Sequence, residues 1–133
     1  IKLSVGLVLL LILSFCQPAW AAGRTGMASW YSTKDACPHN PDPRCPMANG
    51  RSLYDQEATQ PYFAASWDYP FGTTLSICTT RHPRQCTVAV VRDRGPNLRL
   101  YRRGRLLDLS QAAFQALAPL SQGLVEVSID PLP

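Results

Sequence analysis

The sequence has 133 residues, 13 Lys and Arg against 9 Asp and Glu, a formal charge of +4, and 46% hydrophobic residues. That length accommodates one domain. The mild basic excess suits an anionic polymer such as a wall glycan or a membrane surface, and falls short of the concentrated basic stripe that nucleic-acid binding requires.

Lys2 precedes an apolar run from Leu3 to Phe15, followed by Gln17-Pro18 and Ala19-Trp20-Ala21. These are the charged, hydrophobic and small-residue parts of a secretory signal, with cleavage expected after Ala21. Residues 1–21 are therefore read as a signal peptide and 22–133 as the exported domain, in the periplasm or outside the cell. The run is shorter than the roughly 20 residues of a membrane span, and no second such run follows, so no transmembrane segment is expected. A Leu three residues before Cys16 is one element of a lipobox, but Phe15 occupies the place of a small residue and disfavours a lipid anchor.

Four cysteines remain in the exported part, and an even count in an oxidising compartment predicts disulfides. The positions favour two local bridges, Cys37 with Cys45 and Cys78 with Cys86, among three possible connectivities. The sequence lacks a Cys-x-x-Cys pair, and His39 and His82 stand alone in proline-containing loops, so neither a metal nor a cofactor is predicted.

"GMASWYS" at 26–32 is a short strand candidate, and the proline-laden "TKDACPHNPDPRCPMANG" after it is loop. "YFAAS" and "TTLSIC" are strands joined by the turn "YPFGT". "TTLSIC" and "CTVAVV" form a hairpin whose polar loop carries a Cys at each end. "GRLLDLS" is a further strand. "SQAAFQALAPL" has helical spacing, with Ser110 as N-cap and Pro119 as terminator, and "LVEVSI" closes the chain as a strand. Short strands with one short helix favour a small closed β-barrel.

Taken in order, "GMASWYS", "ANGRSLYD", "FAASWDYPFGT", "VVRDRGPN", "GRLLDLSQAAFQAL" and "GLVEVSI" resemble the rare lipoprotein A (RlpA) family over about Gly26 to Ile129. The resemblance implies a six-stranded double-psi β-barrel, as in expansins and barwin-like proteins. It also implies an exported protein whose partner is peptidoglycan glycan strands, attacked by lytic transglycosylation with a preference for strands stripped of stem peptides. In that reaction the 6-hydroxyl of N-acetylmuramic acid displaces the leaving sugar to give a 1,6-anhydro end. One carboxyl can then donate the first proton and accept the second, whereas a hydrolase needs a defined pair.

Asp93 in "VVRDRGPN" is the candidate for that group. Simple alternation along Thr87 to Arg94 puts Ala89, Val91 and Asp93 on one face and Val88, Val90, Arg92 and Arg94 on the other. The competing reading is an Asp that accepts backbone N–H groups and holds the Gly95-Pro96 turn. Asp55 is the second catalytic candidate, against the bland role of a turn residue after Tyr54.

The chain also departs from the family pattern. Arg51 and Ser52 occupy the neighbourhood of a usual glutamate, and Ser66 stands where a histidine is usual. Glu57 and Asp68 are nearby carboxylates off the family position. Ser66, Trp67, Tyr54, Arg92 and Arg94 are the candidate substrate-binding residues, with Trp67 as a glycan platform and Trp30 as core. Arg99, Arg102, Arg103 and Arg105 read as a solvated basic rim.

Two functions follow: a lytic transglycosylase using Asp93 and Asp55, or a non-catalytic, expansin-like glycan-binding module that keeps the barrel without the chemistry. A two-carboxylate glycosidase acting on another β-1,4 glucan is a third.

Overall fold

The computed structural model describes residues 23–133. The expected signal peptide and Cys16 lie outside the described residues. Six strands close into a barrel: β1 (Arg24–Tyr31), β2 (Phe63–Ser66), β3 (Thr74–Thr79), β4 (Cys86–Asp93), β5 (Arg105–Ser110) and β6 (Val125–Pro131), in the spatial order β1-β5-β2-β4-β3-β6. β1 with β5 and β2 with β4 are parallel pairs, and the other neighbours run antiparallel. Each strand falls on a short β-rich run read from the sequence, and closure leaves no edge to protect.

The barrel interior takes every second residue of each strand: Ala28, Ala64, Leu75, Ile77, Ala89, Val91, Leu107, Leu109, Val127 and Ile129. Phe114 plugs this core from the predicted helix, α4 (Gln111–Gln115), whose N-cap Ser110 accepts the Ala113 N–H. Burying a side chain of that size stabilises the fold by about 1.5–3 kcal/mol. Trp30 packs against the same core and donates its indole N–H to the Leu120 carbonyl.

Both parallel pairs carry a bulge. In one, Met27 pairs with Arg105 and Ala28 with Leu107, so Leu106 is extra. In the other, Ala64 pairs with Val91 and Ala65 with Asp93, so Arg92 is extra. Gly26 lies where the chains approach most closely, since a Cβ there would stand 2.6 Å from Leu106 Cγ and 2.9 Å from the Gly104 carbonyl oxygen.

Where one helix was expected, three more form: α1 (Thr33–Ala36), α2 (Leu53–Thr59) and α3 (Leu98–Arg102). They are single or double turns lacking the long apolar period that sequence reading detects; α2 buries Leu53 and Gln56, and α3 is capped by Asn97, whose side chain accepts the Arg99 N–H. The excursion between β1 and β2 lies over the outer barrel face. There Cys37, Cys45, Met47, Leu53 and Phe63 make a second apolar cluster, with Tyr31 at its side.

The disulfides pair Cys37 with Cys45 and Cys78 with Cys86. The second closes the hairpin at the register pair of β3 and β4, and the first pins the loop preceding Ala48. Replacing Cys37 and Cys45 together by Ser is expected to lower unfolding free energy by about 2 kcal/mol, in line with a short closed loop. Urea titration of wild type and variant checks this.

Candidate active site on the outer barrel face

The bulge at Arg92 decides where Asp93 points. Unbroken alternation would send Asp93 to the interior side with Ala89 and Val91. Instead the extra residue turns both Arg92 and Asp93 outward, an effect bulges commonly have beside functional sites. Ser29, Asp108, Ala65 and Asp93 thereby form one outward rung across β1, β5, β2 and β4. Tyr31, Ser110, Phe63 and Val90 form the next rung, under the β1–β2 excursion.

Three donors converge on the Asp93 carboxylate. Oδ1 accepts the backbone N–H groups of Ala48 and Arg94, each at 2.8 Å, and Oδ2 accepts the Tyr31 hydroxyl at 2.8 Å. The Tyr31 ring stands edge-on to Phe63 with centroids 6.0 Å apart, so packing fixes its hydroxyl. Burial, followed by the charge and hydrogen bond of Asp93, holds the Tyr31 phenol far above its ordinary value, and it stays a donor at any working pH. Behind Asp93 the turn lies flat on β2. Gly95 has φ +155, and a Cβ on it would stand 3.3 Å from Ala65 Cβ.

Asp108 is the residue that the sequence reading passed over. It alternates with the interior Leu107 and Leu109, which turns it outward beside Ser29, whose hydroxyl donates to Oδ1 at 3.2 Å. Burial pushes its carboxyl up to about 6; the Asp93 charge adds to the rise, while Ser29 and Arg105 work against it. Both aspartates pair with Ala65, one strand on either side, so their Cα atoms are roughly 10 Å apart at the usual strand spacing. Two carboxyls in contrasting surroundings on one outer barrel face is the pattern from which acid and base roles are built.

The other predicted residues divide clearly. Trp67 is 42% exposed and donates its indole N–H to the Pro96 carbonyl, which sets an aromatic face beside the turn that follows Asp93. Ser66 is fully buried and accepts the Asp68 N–H, so it presents nothing to a ligand from outside. Arg94 turns away from Asp93: its guanidinium donates to the Ser66 and Tyr69 carbonyls and lies 3.9 Å over the Phe71 ring. Arg92 is half-buried against α2, with an Nε that has no hydrogen-bond partner.

Asp55 and Tyr54 sit on the exposed side of α2, and no hydrogen bond joins Asp55 to Asp93 or Tyr31. Glu57 is engaged by the N–H and hydroxyl of Thr33, and Asp68 by Arg24 and Tyr101, so both carboxylates serve local structure. Among the described residues no three His, Cys, Asp or Glu side chains converge as metal ligands, and no helix is long and apolar enough to cross a membrane. A cavity of about 560 Å³, lined by Arg81, His82, Leu117, Gln122 and Glu126 among others, shares no residue with the aspartate rung.

A family model described as lytic transglycolase matches residues 23–129. Two curated proteins, each called a probable endolytic peptidoglycan transglycosylase RlpA, are similar to this chain. The one from Nostoc sp. is 33% identical, covering 80% of this chain and 25% of its own length; the one from Aquifex aeolicus is 38% identical, covering 75% and 37%. The chain thus spans about a quarter to somewhat over a third of these relatives. Among solved structures, apo Clavibacter michiganensis expansin superposes with a TM-score of 0.59 at 18% identity, over 84% of this chain and 51% of the expansin. A mutant of that expansin in complex with cellohexaose gives 0.58 at 19% identity, over 84% and 51%. Cerato-platanin 2 from M. perniciosa gives 0.53 at 16%, over 83% and 95%. At these identities the structural matches speak for the fold alone.

Proposed function

Since the chain belongs to the RlpA-like lytic transglycosylase family of double-psi β-barrels, we propose that it is an exported cell-wall protein that cleaves peptidoglycan strands to 1,6-anhydro-muramic acid ends, with Asp93 as the reacting carboxyl. The observation that carries this reading is the outward, part-exposed Asp93, held by three donors just before the turn on which Trp67 sits.

The Asp93 carboxylate accepts the proton of the muramic 6-hydroxyl as that oxygen bonds to C1, and passes it to the glycosidic oxygen as the C1–O bond to the leaving sugar breaks, which restores the carboxylate without an attacking water. Tyr31 and the two backbone N–H groups fix the carboxylate that takes and returns this proton. Asp108, on the same rung, is a further carboxyl of the site beside the candidate Asp55 on α2.

The test is to incubate the protein with intact and with peptide-stripped sacculi and to read the soluble products by mass spectrometry. Anhydro-ended fragments support the reading. Reducing ends without anhydro product would instead mark a hydrolase. Tyr31→Phe keeps the ring packing and deletes one donor to Asp93. It is expected to lower kcat about tenfold with KM and melting temperature little changed, in keeping with loss of a hydrogen bond to a charged group.

The buried Ser66 and the lack of a carboxylate at Arg51 and Ser52 favour a second reading, a glycan-binding module without chemistry. It predicts that the protein pellets with sacculi and releases nothing.

A further inference from the structure

Of the three donors to Asp93, two are fixed by the barrel itself. Arg94 follows Asp93 in the chain, and the Tyr31 ring is braced by Phe63 from β2. The third, the Ala48 N–H, comes from 45 residues away along the chain and from outside every strand of the barrel.

The segment that carries Ala48 has little of its own to hold it. Residues 46–52 double back once: Pro46 bridges Ser52, the Met47 N–H donates to the Arg51 carbonyl at 2.8 Å, and the Gly50 N–H closes the turn on the Met47 carbonyl at 2.9 Å. A lone hairpin is at best marginally stable in water. Its anchors are the buried Met47 and, at its entrance, Cys45, whose sulfur is tied to Cys37. Cys45 is also the one non-glycine residue with a positive φ among the described residues, at 49. That region is unfavourable for a residue with a Cβ, and it persists where neighbouring structure imposes it. The tie to Cys37 acts here together with the Cys45 N–H donating to the Asp42 carbonyl and the Leu53 N–H donating to the Cys45 carbonyl. The backbone direction at Cys45 sets the path through Pro46 and Met47 to Ala48.

We propose that the Cys37–Cys45 bridge is a positioning clasp for the reaction: it aims the Ala48 N–H at Asp93, so the carboxylate keeps its third donor only while these two thiols are oxidised. This rests on the reading of Asp93 as the reacting carboxyl. The second bridge has no such part. Cys86 opens β4 and Asp93 ends it, roughly 20 Å apart at the usual rise of a strand.

Three variants are compared with wild type on peptide-stripped sacculi: Cys37→Ser with Cys45→Ser, Cys78→Ser with Cys86→Ser, and Ala48→Pro. Ala48 is the second residue of the turn that Gly50 closes, a position that favours proline, so Ala48→Pro removes the N–H and keeps the turn. The first pair is expected to lower kcat about tenfold with apparent KM little changed, in keeping with loss of a hydrogen bond to a charged group. Ala48→Pro is expected to do the same, and the second pair to stay within about twofold of wild type. Combining Ala48→Pro with the first pair is expected to cost about tenfold again rather than a hundredfold, because both remove one hydrogen bond. Equal losses in the two bridge variants, or a multiplied loss in the combination, would overturn the clasp. So would a fully active Ala48→Pro, which stays informative if the first pair melts early.

Amide hydrogen exchange, read residue by residue by NMR, tests the clasp without turnover. Ala48 is expected to exchange at least about tenfold faster in the first pair, while Arg94 keeps its wild-type rate. Unchanged exchange at Ala48 rejects the clasp. A wild type that releases no anhydro product yet shows this exchange difference rejects the chemistry assigned to Asp93 and upholds the clasp on its carboxylate.

Discussion

Asp93→Asn is expected to lower the release of 1,6-anhydro ends by about a thousandfold, within the range that positioned acid–base groups supply, while the melting temperature stays within a few degrees. Asn retains Oδ1, so the Ala48 and Arg94 N–H groups keep their acceptor. The Tyr31 hydroxyl then meets an NH₂ and can rotate to accept from it. What the substitution removes is the carboxylate's capacity to take and return a proton, and the loop geometry survives. A loss of product in a variant that melts like wild type therefore reports chemistry. Release above about a tenth of wild type would make Asp93 a bracket for the Ala48 and Gly95 turns and assign the proton transfer to another group. Product yield by mass spectrometry, set beside circular dichroism melts of the same samples, separates these outcomes.

Much of this architecture was legible because period-two patterning in short runs survives into the structure. All six strands, the Ser110 cap and both disulfides lie where the residues put them. The orientation of Asp93 was not legible from β4, because a bulge is a property of a strand pair. Nothing in "VVRD" alone says that Ala64 and Ala65 will pair with Val91 and Asp93 and skip Arg92. Ser66 is a similar case. It pairs with the interior Leu107 and so faces into the barrel, while the remote β1–β2 excursion covers the outward Phe63, and a local window sees neither partner. Asp108 was the readable signal that went unused. An acid between two leucines of an alternating strand must point away from the core, and that simple rule places it on the face where Asp93 emerges.

The same residue gives the largest expected effect on stability. In the fold the Asp108 carboxyl is pushed up to about 6 from 3.8, chiefly by burial. Below pH about 4 it is protonated both folded and unfolded, and burial then carries no charge-related cost. Between 3.8 and about 6 the folded chain binds more protons than the unfolded one, so stability falls as pH rises, and above about 6 the whole cost is present. The shift corresponds to roughly 2–3 kcal/mol. Asp108→Asn, which still offers an acceptor to Ser29, is therefore expected to stabilise the protein by about 2 kcal/mol at pH 8 and to change little at pH 4. Thermal melts at the two pH values measure the difference; an equal gain at both, or a loss at pH 8, would show that burial of charge is not what the substitution relieves. Holding an acid where a neutral isostere would be more stable calls for a compensating use. Its charge shares an outward rung with Asp93, so wild-type product release should show an inflection near pH 6 that Asp108→Asn lacks. If that inflection persists in Asp108→Asn, the titrating group lies elsewhere and Asp108 belongs to the fold alone.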